Sequence, residues 1–385
     1  MLHNINSMKT LNLGYPEKML LALLRASLHQ CEVETVYFQD ATDEDWLKCY
    51  RLAVRQGVSS LAWGGIERLP IKHNPPLNVK ISWALQEKKQ QEKYRKHCLV
   101  ANEVTQLFTQ HGIATVILKG VGLSRFYPVP AHREGSDIDI YTYSVDKTKM
   151  TNEEAYLLAN ELLLKQGAIL RDSSSIKHST FRFNGITFEN HSMFLHEAEC
   201  KTITKAEQWL HKHIETQFVE LLDGECRIEV PSVTFDSVFV PLHAAQHYGM
   251  GLSLKHLCDW TLLLKQNGMN LPDELNDKYF KQIVITLTQL CNQHLGLTDN
   301  SQQPIANNQP PIANRQQPIA NKMMQEILYP PYYRKDPTRG FIRIYWFQLR
   351  NRIHIFKLKH RLLGVSFWGK IWGLLSRMIK SHNSL

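Results

Sequence analysis

The chain has 385 residues, 43% of them apolar and 21% charged, a balance ordinary for globular proteins with room for two or three domains. No apolar run approaches the roughly eighteen residues that span a bilayer, the polar N-terminus lacks the pattern of a secretory signal, and the seven scattered cysteines contain no C-x-x-C pair. They read as reduced thiols of a cytoplasmic protein and argue against a cysteine zinc site.

The net charge of +9 is unevenly placed: from Pro337 onward there are ten Lys/Arg and no acid, so the rest of the chain is nearly neutral. Residues 16–70 read as helical. Pro16-Glu17-Lys18 opens a helix with proline in its first turn, and Leu20, Leu21, Leu23, Leu24 and Leu28 follow at helical spacing. A second helix starts near Asp43-Glu44 and buries Trp46, Leu47, Tyr50, Leu52 and Ala53. A long helical stretch covers 78–111.

The period then changes. Ala114 to Leu118 reads as a buried strand, Lys119-Gly120 ends it, and Val121 to Tyr127 reads as a short helix before Pro128. A loop leads into Asp137-Ile138-Asp139-Ile140-Tyr141, a second strand. A helix over 151–167 and short strands over 168–170, 177–183 and 186–191 follow, the last two joined by the hairpin signal Asn184-Gly185. From Ser237 the helical period returns and lasts to about residue 297. Residues 302–322 repeat Pro-Ile-Ala-Asn every seven residues; with a proline in each repeat, the segment is expected to be extended and flexible rather than helical.

The fold class expected is α+β, a small mixed β-sheet core flanked by N-terminal helices and a C-terminal helical domain. The corresponding divisions are 1–110, 111–235, 236–300, the repeat insert 301–322 and a basic aromatic helical tail over 323–385.

Asp137 and Asp139 lie two apart on a strand, so both project from one face while Ile138 and Ile140 fill the other. Side-by-side carboxylates repel each other unless a cation lies between them, and oxygen-only ligands suit Mg²⁺. Ser136, after Gly135, leads into the pair and allows close backbone approach to a phosphate. Lys119 and Gly120, at a strand-to-helix turn, suit a phosphate as well; an ordinary turn with an exposed lysine is the plain alternative. Arg133 is read as a bidentate clamp on a triphosphate, with an ion pair that holds its own loop as the plain alternative. A third carboxylate is expected from a later strand, with Glu189 preferred and Glu229 as its competitor. His243 and His247 share a helical face; without H-E-x-x-H they read as a packed, hydrogen-bonded pair near a cleft that Asp259 also faces.

Leu118-Lys119-Gly120, Tyr127-Pro128, Arg133, Asp137-Ile138-Asp139 and Glu189-Asn190-His191, in that order, resemble a bacterial family of uncharacterised nucleotidyltransferases of the DNA polymerase beta-type superfamily. Leu242-His243 to His247, Leu257-Cys258-Asp259-Trp260 and Leu23-Leu24-Arg25-Ala26 are also similar to it, so the resemblance spans about residues 16–297. It implies a nucleotidyltransferase core with Asp137, Asp139 and Glu189 as ligands of two Mg²⁺ ions (Mn²⁺ as a substitute), and Lys119 and Gly120 at the triphosphate. It further implies ATP or another NTP as substrate and pyrophosphate as product. Ser192, where the family often has an aromatic residue, and the repeat insert depart from the pattern. The acceptor stays open among sugar, metabolite, protein and RNA.

Two other readings remain. A γ-phosphotransferase would release NDP. A non-enzymatic adaptor would use the basic aromatic residues of 339–380 on an anionic membrane surface, peripheral to its inner face, or on nucleic acid; simple packing on the body is the third fate of that tail.

Overall fold

The computed structural model describes residues 12–173, 175–197, 200–297, 313–330 and 353–365. Helices α1 (Tyr15–His29), α2 (Asp43–Gln56) and α3 (Ser59–Ile66) come first. α2 begins at a reciprocal cap, Thr42 with Asp45, and ends at Gly57 in the left-handed conformation, as the sequence of a well-bounded helix would have it. A long helix, α4 (Leu77–Thr109), follows. Then β1 (Ile113–Ile117), a single turn α5 (Val121–Ser124), β2 (Asp137–Ser144) and α6 (Asn152–Lys165) lead to β3 (Ile169–Asp172), β4 (His178–Phe183) and β5 (Ile186–His191).

The chain continues through α7 (Lys201–Lys212), the hairpin β6 (Thr216–Leu221) and β7 (Cys226–Pro231), and helices α8 (Val233–Gln246), α9 (Leu254–Asn267), α10 (Lys278–Leu295) and α11 (Ala313–Leu328). Residues 353–363 form a last described helix, α12. The Asn184-Gly185 hairpin is present, both residues at positive φ.

One seven-stranded mixed sheet has the order β3-β4-β5-β2-β1-β7-β6. β2 runs antiparallel to β1 and parallel to β5, and β1 is parallel to β7. Ile138, Ile140, Ile117, Phe188 and Ile228 turn to one face, into a core shared with Tyr94, Cys98, Val104 and Phe108 of α4 and with α6. A second core joins α1–α3 to α8–α11, so the two helical regions pack on each other. α4 belongs to both: Val79 and Trp83 lie in the helical core, and its second half lies under the sheet.

The repeat segment departs from expectation. Over its described part it is helical, for α11 runs through Pro318. The reason is tertiary: Ala320, Met323, Met324, Ile327 and Leu328 are buried in the helical core, and that burial outweighs the helix penalty of one proline. The rest of the insert lies outside the described residues. So does most of 339–380; its described part, 353–365, packs on the body through Leu358, Leu362, Leu363 and Val365, with Lys359 ion-paired to Glu197. No helix among the described residues is long and apolar enough to cross a membrane.

Arg125, just after α5, ties the sheet to the helices. It donates to the Pro231 carbonyl and to the fully buried Asp236 carboxylate on α8. Burial pushes that carboxyl up to about 7 even against the charge of Arg125. Arg125→Met strands the buried acid and is expected to cost about 3–5 kcal/mol in urea unfolding; a loss below about 1 kcal/mol would show that the pair does not hold these elements together.

Candidate active site

The parallel register of β2 and β5 sets Asp139 opposite Glu189 and Asp137 opposite Thr187. Side chains at matched positions of neighbouring strands share a face, so all three acids project from the side of the sheet away from the isoleucine core. One carboxylate oxygen from each of Asp137, Asp139 and Glu189 lies within 4.8 Å of the others. Glu229, on β7, is outside this group: its carboxylate is held by Tyr143 and Thr216.

Such a concentration of negative charge is costly without compensation. Burial raises the Asp137 carboxyl above its ordinary value, and the charges of Asp139 and Glu189 add to it. Asp139 goes the other way. Burial opposes its charge, but Lys119 Nζ at 2.6 Å and His191 Nε2 at 3.0 Å, both on Oδ1, hold its carboxyl below the usual aspartate range. Burial likewise works against the Lys119 ammonium, and Asp139, Asp137 and Glu189 outweigh it, so its pKa lies above the ordinary lysine value. His191 is fixed from behind by the Met193 carbonyl. One carboxylate oxygen from each of the three acids lies within reach of the others, an all-oxygen set suited to a hard divalent cation.

Backbone geometry brings Lys119 there. Gly120 takes φ +58, ψ −115, a conformation L side chains rarely adopt, with the Asp137 carbonyl 3.2 Å from where a Cβ would be. At Gly122 a Cβ would meet the Ile117 carbonyl at 2.4 Å. The turn can therefore lie tightly against both strands. α5 is one turn long, shorter than the helix expected to reach Tyr127, so it contributes little helix dipole. Ser136 is exposed and donates to Asp137 Oδ1 at 3.1 Å.

A cavity of about 340 Å³ opens over the acids. One wall comes from the loop before β2 and the other from α8 and α9. Arg133 is buried and engaged: Nε and Nη2 donate to the two oxygens of Asp259 at 3.1 and 2.9 Å, and Tyr127 donates to the same carboxylate at 2.7 Å. Of the two roles the sequence left to Arg133, its contacts are those of the loop-holding ion pair, although it also borders the cavity. Lys119 bonds His243 at 3.0 Å, and His243 contacts His247 at 3.2 Å.

Residue spacing thus led to Lys119, Gly120, Arg133, Ser136, Asp137, Asp139, His243, His247 and Asp259, all of which border this cavity. Glu189 joins them through the carboxylate group. Sequence reasoning missed Lys255 and His256, which complete the wall; the only signal was Ser253-x-x-His256 at the start of a helix, a capping pattern rather than a site motif.

The opposite electrostatics of the two aspartates give a test. Asp139→Asn unpairs Lys119 and His191 and is expected to destabilise the fold by about 3–5 kcal/mol. Asp137→Asn removes repulsion: its raised pKa means that the native state binds the proton more tightly, so its charge is unfavourable at neutral pH and the melting temperature should rise. Thermal and urea melts of both variants check this, and equal effects would contradict the charge pattern.

Comparison with known proteins adds the following. A family model described as uncharacterised nucleotidyltransferase matches residues 42–296. No curated protein sequence matches the chain. Among solved structures, an antigenic nucleotidyltransferase-like protein from Paracoccidioides brasiliensis is similar at 13% identity and a TM-score of 0.34, over 53% of this chain and 95% of that one. With the family model covering most of the chain, from α2 to the end of α10, the protein belongs to the family of uncharacterised nucleotidyltransferases.

Proposed function

We propose that the protein moves a nucleoside monophosphate from a nucleoside triphosphate to a hydroxyl acceptor and releases pyrophosphate, with Asp137, Asp139 and Glu189 as magnesium-binding carboxylates. The observation that supports this reading is the convergence of three acids from two parallel strands under a polar cavity. Their oxygen donors and the raised Asp137 carboxyl fit a pair of Mg²⁺ ions, with Mn²⁺ as a substitute. Bound there, the metal would neutralise phosphate charge and lower the pKa of the acceptor hydroxyl.

The chain's own residues supply the positioning. Asp139 holds the Lys119 ammonium at the cavity floor, where a proton not used by Asp139 or His243 can meet a phosphate oxygen. Gly120, and Gly135 ahead of Ser136, leave room for the backbone to approach the triphosphate closely. Arg133, fixed by Asp259, keeps the loop ahead of β2 in register with the acids. In the transfer, the acceptor oxygen bonds to the α-phosphorus, the bond from that phosphorus to the bridging oxygen breaks, its electron pair leaves with pyrophosphate, and the acceptor hydroxyl proton is released. On this reading residues 111–235 carry the chemistry and the helical regions close the cavity above it.

Asp137→Ala and Asp139→Ala are each expected to lower transfer of label from α-labelled NTP by at least about 10²–10³-fold. The assay uses each of the four NTPs against cell-extract fractions and identifies the labelled species. Label moving from the γ-position instead, with NDP as product, would favour the phosphotransferase reading.

A further inference from the structure

His243, His247 and His256 each place a ring nitrogen within 4.8 Å of the others, a grouping that at first sight suits a transition metal. Their hydrogen bonds decide against it. The Ser253 backbone N–H donates to His256 Nδ1 at 3.1 Å. Nδ1 is therefore the acceptor, and the proton of the neutral ring sits on Nε2. Neither nitrogen of His256 offers a lone pair unless the cap of α9 is given up.

His243 is equally committed. An ammonium has no lone pair, so Lys119 Nζ donates and His243 Nε2 accepts. His247 Nε2 lies 3.2 Å from the same His243 nitrogen, whose single lone pair Lys119 already uses. Lys119 thus donates into His243, and His256 keeps a proton rather than a lone pair on Nε2, so two of the three rings have no nitrogen lone pair free for a metal.

Lys255 stands beside His256. Among the described residues its Nζ has no hydrogen-bonded or ion-paired partner, and its stem lies against Gly57, at 3.7 Å from the position of a Cβ there. Burial holds it below the ordinary lysine value, with the Arg133 charge adding to this. The cavity is thus bipolar, with acids on the sheet and unspent donors on α9.

Building on the nucleotidyl-transfer reading, we propose that Lys255 and the Nε2–H of His256 form an anion pocket for the β- and γ-phosphates of the bound nucleotide and for the departing pyrophosphate, and that the histidine cluster is not a metal centre. The pocket would anchor the part of the substrate that leaves, while the carboxylates address the part that is transferred.

The test is equilibrium binding to the full chain, with Mg²⁺ present, of ATP, GTP, CTP, UTP, the matching monophosphates and inorganic pyrophosphate, together with a separate Zn²⁺ titration. Lys255→Met keeps the stem and removes the charge. His256→Gln removes the imidazole donor while an N3 glutamine can still cap Ser253. Each is expected to weaken NTP and pyrophosphate binding about ten- to hundredfold and to leave monophosphate binding unchanged, with a melting temperature near that of the wild type. NTP and pyrophosphate binding at wild-type strength in either folded variant would overturn the pocket. Stoichiometric submicromolar Zn²⁺ binding that His247→Ala abolishes would overturn it as well. If the wild-type protein binds none of the four NTPs, the nucleotidyl-transfer reading itself falls; if it binds them and only the variants fail to discriminate, the pocket alone does.

Discussion

The negative charge gathered at the end of β2 and β5 is the constraint around which the rest of this protein is arranged. Parallel pairing places Asp139 and Glu189 side by side, and the two-residue period adds Asp137. Within the sheet only imidazoles, His191 and His178, stand against that charge. A lysine arrives from the turn after β1, which only a glycine at 120 lets close, and a histidine arrives two residues beyond Glu189 on the same strand. The lysine in turn fixes His243, on a helix more than a hundred residues further along. Local strand geometry thus propagates into the placement of the helical wall.

The two ion pairs of the cleft do different work. Lys119–Asp139 is part of the cavity floor and retains donor capacity. Arg133–Asp259 is closed on itself: both aspartate oxygens are taken, and Tyr127 shares one of them. A buried arginine–aspartate pair that satisfies its own geometry contributes position more than attraction. It fastens the loop leading into β2 to α9, and so fixes the distance between the acids and the opposing wall.

Much of this was legible in the sequence because it depends on short-range periodicity. The strand bearing Asp137 and Asp139, the Asn184-Gly185 hairpin, the capped helix at Asp43 and the alternation that turns Glu189 to one face are all written in neighbouring residues. The histidines and Asp259 could be placed on helices, but not their partners, since contacts such as His243 with Lys119 join residues 124 positions apart. Lys255 carried no local mark at all. The proline repeat misled for the same reason in reverse: its local signal forbids helix, while Ala320, Met323 and Ile327 find a core that only the assembled fold provides. α7 and β6 were also not read as elements; of their neighbourhood only Arg227 to Val230, bearing Glu229, was legible as a strand.

The long helix α4 and the first helix α1 together say something about where this molecule can be cut. At about 1.5 Å per residue, α4 extends roughly 50 Å and is anchored in both cores. α1 precedes the family match, yet Met19, Leu20, Leu23, Leu24 and Leu28 are all completely buried, and the helix packs against α2, α3 and α10. A polypeptide trimmed to residues 42–296 would keep every acid, lysine and histidine of the cleft and lose the apolar plug of the helical body. The stretch that defines the family by sequence is therefore smaller than the unit that folds.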